Sequence, residues 1–443
     1  MYVKNWKVGI NKYMKNKVVK NASWIIAGKI AQSVLGLIVS MLTARYLGPS
    51  DFGIINYAAS IVAFVIPIMQ LGINNILVQE FINRPNEEGK ILGTSLLLNL
   101  ISSFACIIGV ITFTFVVNHN DSITIFVCSL YSIQLIFQTM ELCIYWFQSK
   151  YLSKYTSIVS LIAYTIVSIY KIFLLVTHKS IYWFAVSNAL DYMLIGFLSL
   201  ILYKLLGGQH LSFSFDTAKR VFSKSHYYIV SSIMVTIFAQ TDKIMINQMM
   251  DSTSTGYYSA AVTCAGLTSF VFVAIIDSFR PSIFESKIEN EGKYILNMTR
   301  LYSIVIYLSL FQSIGTALFS SIIVRILYGN QYLASVDVLR IIVWYTTFSY
   351  IGAVRNVWIL AENNQKYLWK INLSGAMLNI ILNAILIPKL GISGAAIASL
   401  LTQIFTNVII GYIFMDLREN NRVMMQSLNP KYICEILKYL VRK

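Results

Sequence analysis

Apolar residues run along this chain in long unbroken stretches, and each reaches the roughly 20 residues that a helix needs to cross a bilayer. Twelve can be drawn, at 22–44, 52–73, 92–117, 123–147, 156–177, 180–203, 222–246, 257–280, 301–326, 336–360, 367–387 and 392–415. The pattern predicts an all-α integral membrane protein with twelve transmembrane helices. On one side the connections are brief turns, such as 118–121 and 388–391; on the other they are longer, the longest at 204–221 and 281–300. Because 204–221 joins the sixth and seventh stretches, it is the natural boundary between two halves. The expected organisation is an N-terminal segment at 1–21, a first half at 22–203, a linker at 204–221, a second half at 222–415 and a C-terminal segment at 416–443.

Several stretches carry a polar stripe on one helical face. In the first, Lys29, Gln32, Ser33, Gly36 and Ser40 follow a 3-4 spacing; in the fifth, Ser157, Ser160, Tyr164, Ser168 and Lys171 do the same. Gln134, Gln138 and Glu141 share a face of the fourth, and Asp191 lies near the middle of the sixth. A helix lining a water-filled cavity has this appearance, although Ser and Gln stripes also serve helix–helix hydrogen bonding. The second half carries mostly neutral stripes: Ser232, Thr236 and Gln240, then Asn372, Asn379 and Asn383, then Gln403 and Asn407.

Composition agrees with the pattern: 57% of residues are hydrophobic and 12% charged, with mean hydropathy +0.65, more apolar surface than a soluble core buries. The formal charge of +16 would suggest a nucleic-acid partner in a soluble protein. Here position gives it another meaning. With the Lys-rich N-terminus placed in the cytoplasm, 25 of the 35 Lys and Arg fall on the inner side, four on the outer side (Arg45, Lys179, Arg325, Lys389) and six within stretches. That asymmetry obeys the positive-inside rule and puts both termini in the cytoplasm. No nucleic-acid partner is expected. Residues 1–21 lack the apolar core and cleavage site of a signal peptide; Trp6, Ile10, Tyr13 and Met14 instead fit a short helix on an anionic leaflet.

The six intramembrane cations are Lys29, Lys171, Lys243, Arg280, Arg340 and Arg355, and the acids are Glu141, Asp191, Asp242 and Asp277. An intramembrane charge usually faces a bundle interior or an aqueous cavity. Lys243, Arg280, Arg340 and Arg355 lie near helix ends, where snorkelling to the interface is the alternative; Asp242 beside Lys243 and Asp277 before Arg280 could be local ion pairs. Lys29 sits deeper, about 10 Å in at 1.5 Å per residue. Cys106, Cys128, Cys143, Cys264 and Cys434 are scattered, and His119, His178, His210 and His226 have no carboxylate or nucleophile at recognisable spacing. The expectation is therefore no catalytic residues, no metal and no cofactor. A GxxxxGK[ST] phosphate loop is absent, so any driving force comes from a gradient or a partner.

The turn RYLGPSDFGIINYAAS at 45–60 has an echo in NQMMDSTSTGYYSAAV at 247–262. In each, an outward turn holding an Asp leads into a small-residue helix start, with Gly53 and Gly256 as pivots. The offset is six spans, an even number, which suggests two halves of the same topology. Any tight outer hairpin also favours Gly and Asp.

The segments ARYLGPSDFGIINYAASI (44–61), DSFRPSIFES (277–286), ILYGNQYLASVDVLRII (326–342) and PKLGISGAAIASLLTQ (388–403) resemble the signature turns of the Wzx-type O-antigen and capsule repeat-unit flippases. These belong to the superfamily that also holds MATE exporters and lipid II flippases, and the resemblance extends from the first span to the twelfth. It implies a V-shaped pair of six-helix lobes working by alternating access in the bacterial cytoplasmic (inner) membrane. The implied substrate is an undecaprenyl-diphosphate-linked oligosaccharide moved to the periplasmic leaflet, with membrane lipids, a polysaccharide polymerase and a chain-length regulator as partners. A cationic central cavity carries over onto Lys29, and less directly onto Lys171, Arg280 and Arg355; Gln32, Gln138, Glu141 and Asp191 would be its polar or proton-coupling groups. The hairpins at Arg45, Asp51, Gly53 and Gly256 would form an outer gate. Two rivals remain. A MATE-like exporter of cationic drugs should favour acids over cations in the cavity, and a membrane polysaccharide polymerase or ligase should present a large basic outer loop.

Overall fold

The computed structural model describes residues 2–119 and 121–433, with side chains described at Gly28 and from Ala31 onward, Ser231 excepted. The side chains of Trp6, Ile10, Tyr13, Met14 and Lys29 lie outside the described residues, and so does Cys434. In chain order the α-helices are α1 (Tyr2–Met69), α2 (Leu77–Asn83), α3 (Glu88–Val117), α4 (Ser122–Ser132), α5 (Gln134–Gln138), α6 (Cys143–Ser149), α7 (Ser153–Val176), α8 (Ile181–Leu205) and α9 (Phe215–Met249). They continue with α10 (Ser252–Ala265), α11 (Ser269–Glu289), α12 (Glu291–Leu318), α13 (Ser320–Tyr328), α14 (Ser335–Ala361), α15 (Leu368–Ile404), α16 (Ile410–Ile413) and α17 (Arg418–Gln426). Among the described residues there is no strand. Among the same described residues eight helices are long and apolar enough to cross a membrane, or nine if α10 and α11, bent by 43° at their junction, form one span.

The helices are polar inside and apolar outside. On α3, Ser95, Asn99, Ser103 and Thr114 are buried while Ile101, Ile108 and Phe115 are exposed. Lipid offers no hydrogen bonds, so small polar side chains turn inward, where helices approach closely and hydroxyls bond to carbonyls within their own turn. Thr114 Oγ1, for example, donates to the Val110 carbonyl at 2.9 Å.

Helix ends follow the local chemistry of the turns. Asp121 caps α4 by accepting from the Thr124 amide at 3.1 Å, Asp251 caps α10 by accepting from the Ser254 amide at 2.7 Å, and Asn290 caps α12, each satisfying an orphan donor of the first turn. Two long helices are broken by glycine. Gly48 (φ 75°, ψ 173°) interrupts α1 and Gly391 (φ 58°, ψ −140°) interrupts α15, backbone conformations that residues bearing a Cβ avoid. After Gly48, Pro49 opens the new helix in its preferred position and Asp51 falls in the first turn, where the helix dipole favours an acid.

The chain divides into two compact units. The first contains the described residues up to Leu47 together with Tyr57–Thr236; the second contains Gly48–Asn56 and the residues from Ile237 onward. A core of the first unit gathers Ile73, Phe81, Leu92, Trp146, Phe147 and Tyr203. The second is centred on Phe272, Tyr294, Tyr302, Val354 and Trp358, with the Phe272 and Tyr350 rings stacked at 3.9 Å.

Candidate functional site

Within the first unit, the polar stripes of α1 and α7 face each other. A Cβ on Gly28 would touch Ser157, and one on Gly36 would collide with the Tyr164 hydroxyl, so both glycines bring the α1 backbone against the α7 stripe. Gln32, Gln148, Ser153, Thr156, Ser157 and Ser160 line a cavity of about 250 Å³ beside that contact. Further along α7, the Lys171 ammonium donates to Asn188 Oδ1 on α8 at 3.1 Å. Asp191, one turn on from Asn188, interacts electrostatically with both Lys171 and Glu141. Glu141 lies in the short 3-10 turn between α5 and α6. One oxygen of Asp191 and the side-chain oxygen of Gln138 are buried without a hydrogen-bond partner. In an apolar bundle, buried acceptors left open are costly unless something supplies donors.

In the second unit both oxygens of the buried Asp242 carboxylate are bonded. Asp242 on α9 accepts from the Tyr258 hydroxyl at 2.5 Å and from Asn383 Nδ2 at 2.7 Å, and the Ser399 hydroxyl also donates to it. Asn383 donates in addition to Asn379 one turn away, at 3.1 Å. Arg355 on α14 is 5% exposed. Its Nη1 donates to the Thr406 carbonyl and its Nη2 to Asn356 Oδ1 at 3.1 Å. Thr406 lies in a π-turn at Phe405–Ile409. A π-turn shifts the backbone ladder by one residue and loosens its carbonyls, and a guanidinium with five donors suits the resulting acceptor. Arg280 pairs with Asp277 at 3.2 Å, both half-exposed, and Arg340 with Asp337 at 2.9 Å.

The two echoing turns meet inside the second unit. A Cβ on Gly53 would lie 1.7 Å from the Ser252 carbonyl oxygen, and one on Gly256 would lie 2.0 Å from that of Pro49. The backbones touch with no room for a side chain. Around this contact Phe52, Tyr257, Tyr328 and Tyr332 form an aromatic cluster, with the Phe52 and Tyr332 centroids 6.2 Å apart and edge-on. Arg45 is exposed and Asp51 half-buried at the turn.

Two buried carboxylates were missed by the sequence reading. Glu80 is 2% exposed, bonded by Lys224 at 2.6 Å and Arg220 at 3.4 Å. Glu88 accepts from Trp146 Nε1 at 2.7 Å and pairs with Lys150 at 2.5 Å. The available signal was a concentration of acids, Glu80, Glu87 and Glu88, in a connection that also carries Arg84 and Lys90. Asp242 was read as a neighbour of Lys243; the signal for its bonding was the Asn379–Asn383 pair one helical turn apart.

The family described as "Polysaccharide biosynthesis protein" matches residues 18–287, more than half of the chain. The chain belongs to that family. A putative O-antigen transporter of Shigella flexneri is 24% identical over 409 residues, covering 86% of this chain and 94% of that protein. In fold, the chain is similar to the lipid II flippase MurJ in an inward closed conformation, with a TM-score of 0.67 at 16% identity over 93% of each chain. It is also similar to a MATE family multidrug transporter in an inward-facing conformation, with a TM-score of 0.65 at 11% identity over 89% of this chain and 96% of that one. The polysaccharide-flippase resemblance read from the turns is thus borne out: this is a multi-span membrane protein of a transporter family, with a fold shared by MurJ and MATE proteins. The match contains the turns at 44–61 and 277–286; those at 326–342 and 388–403 lie beyond it.

Proposed function

We propose that the protein flips an undecaprenyl-diphosphate-linked oligosaccharide, an O-antigen or capsule repeat unit, from the cytoplasmic to the outer leaflet of the bacterial cytoplasmic membrane by alternating access. A diphosphate and a sugar chain must cross about 30 Å of hydrocarbon, and a cationic, polar cavity lowers that barrier while the lipid tail stays in the bilayer. The observation that supports this reading is the meeting of the α1 and α7 polar stripes at a polar-lined cavity, with the Lys171 cation bonded to Asn188 further along the same helix. Lys29, three residues before Gln32 on the same stripe, and Lys171 take the diphosphate. Gln32 and Gln138 meet sugar hydroxyls, and Glu141 and Asp191 pair with the cations or carry coupling protons. Arg280 and Arg355 are the second half's contributions, Arg355 through the guanidinium nitrogen that remains without a partner.

Twelve spans in two six-helix lobes follow if α1 and α15 each count twice across their glycine breaks, α10 with α11 counts once, and α14 joins the set. The lobes are then 22–203 and 222–415, joined by a cytoplasmic linker at 204–221, with basic cytoplasmic segments at 1–21 and 416–443. The hairpins at Arg45, Asp51, Gly53 and Gly256 serve as the outer gate. A polymerase and a chain-length regulator receive the flipped unit, and no chemistry on the substrate is required.

Complementation of a bacterium lacking its own repeat-unit flippase tests this. The expected result is restored surface polysaccharide with the native chain, none with Lys29→Ala or Lys171→Ala at equal expression, and partial restoration with Lys29→Arg. Normal polysaccharide in both alanine variants would remove this cavity from the route.

A further inference from the structure

Outside that cavity, the first unit carries a second depression of different chemistry. It measures about 380 Å³ and is walled by Leu96, Leu97 and Leu100 of α3, Leu200 of α8, and Leu211 and Phe213 of the segment that leads into α9. On α3 these leucines, with Gly93, fall at i, i+3, i+4 and i+7, one face of the helix. From Gly93 to Leu100 the groove runs about 10 Å at 1.5 Å per residue, and Lys90, one turn beyond its end, lies about 15 Å from Leu100, the depth of one leaflet of a hydrocarbon core of about 30 Å.

The outer wall is held in place. Gln209 donates to the Pro85 carbonyl at 2.8 Å and accepts from the Gly89 amide at 3.1 Å, the Ser214 amide donates to Thr94 Oγ1 at 3.0 Å, and the Tyr203 hydroxyl donates to the Gln209 carbonyl at 2.9 Å. Gly89 and Gly93 permit this, because a Cβ on either would strike the backbone of His210 or Ser212. The stitched segment nevertheless shows apolar side chains outward: Phe213 is 51% and Phe215 74% exposed. An ordered strap with bare phenylalanines belongs at a lipid interface.

Charge at the inner end of the groove separates two kinds of cation. Lys150, Arg220 and Lys224 are each paired with a glutamate. Among the described residues no ion pair engages Lys90 or Lys204, both exposed, one turn from Gly93 and Leu200 respectively. Free basic groups one turn above an apolar slot match an anionic headgroup with its chain below.

We infer that the groove between α3, α8 and the 211–213 segment is a binding site for one acyl chain of an anionic inner-leaflet phospholipid, whose headgroup rests on Lys90 and Lys204. This stands apart from the transported substrate, since it needs only that the chain is embedded in a bilayer.

The full-length protein in nanodiscs containing phosphatidylglycerol with a photoactivatable group in its acyl chain provides the test. Cross-links mapped by mass spectrometry should concentrate several-fold on 93–100 and 211–213 over the lipid-exposed face of α7 at Ile169 and Val176. Leu97→Trp, which fills the slot, should remove that excess. Lys90→Gln and Lys204→Gln should each reduce the preference for phosphatidylglycerol over phosphatidylcholine about fivefold, the ~1 kcal/mol that a basic side chain contributes near an anionic surface. Uniform labelling along the lipid-facing helices would overturn the site. So would labelling displaced by undecaprenyl phosphate and not by unlabelled phosphatidylglycerol, which would assign the groove to a polyprenyl chain.

Discussion

The carboxylates of Asp242 and Asp191, one in each unit, differ in how completely they are bonded. Around Asp242 a tyrosine, an asparagine and a serine converge on one carboxylate. Around Lys171, by contrast, one hydrogen bond to Asn188 serves a cation, while an oxygen of Asp191 and the side-chain oxygen of Gln138 stay open. Saturated networks hold helices in one arrangement, whereas unsaturated ones keep bonding capacity for a ligand. The contrast marks Asp242 as a group that holds its helices together and Asp191 as one that keeps bonding capacity in reserve.

The largest effect should come from Asp242→Ala. Three donors lose their common acceptor inside the bundle, and the expected cost is about 3 kcal/mol, read as a fall of several degrees in thermal unfolding of the detergent-solubilised protein. An Asp242→Ala protein that unfolds like the native one but no longer restores polysaccharide would erase the contrast, because the second network would then be a working site as well. Next comes Gly53→Ala. A methyl pressed against the Ser252 carbonyl forces the two hairpins apart at a cost of about 1–3 kcal/mol, and the measurement is yield of folded protein together with complementation.

Lys171→Ala should behave in the opposite way. Loss of one hydrogen bond changes stability by about 1 kcal/mol or less, yet surface polysaccharide should disappear; a thermal shift as large as that of Asp242→Ala would make Lys171 a structural group. The smallest effect is expected from Arg280→Ala. Its half-exposed pair with Asp277 is worth about 0.5 kcal/mol or less to the helix, so a strong transport defect at unchanged stability would give Arg280 a direct role with substrate.

The all-helical, multi-span character could be read from the one-dimensional pattern, because bilayer thickness sets a minimum length for an apolar spanning stretch; the count of twelve was drawn from stretches that the described helices partly merge across the breaks at Gly48 and Gly391. The separate polar stripes of α1 and α7 were also legible, since Gln32 and Gly36, and Ser157 and Tyr164, repeat at helical period, but that they face each other was not. Bonding within the second unit was not. Asn379 and Asn383 mark a face, but nothing in a linear pattern says that residue 242 sits opposite residue 383 or that Arg355 meets a π-turn fifty residues on. Glu80 and Glu88 were hidden for a related reason: the positive-inside rule counts Lys and Arg, so acids in the same loops go unweighed although burial makes them costly to leave unpaired.

The placement of Gly48–Asn56 in the second unit has a consequence for dissecting the protein. Covalently, the chain passes from one unit to the other three times, after Leu47, after Asn56 and after Thr236, so neither unit is a contiguous stretch that can be cut out whole. A fragment ending between 204 and 221 would carry Phe52 and Gly53 without the Ser252, Tyr328 and Tyr332 surfaces that cover them. Split versions of this protein should therefore fold only when both pieces are made together, with the small exchanged hairpin acting as the clasp by which each piece recognises the other.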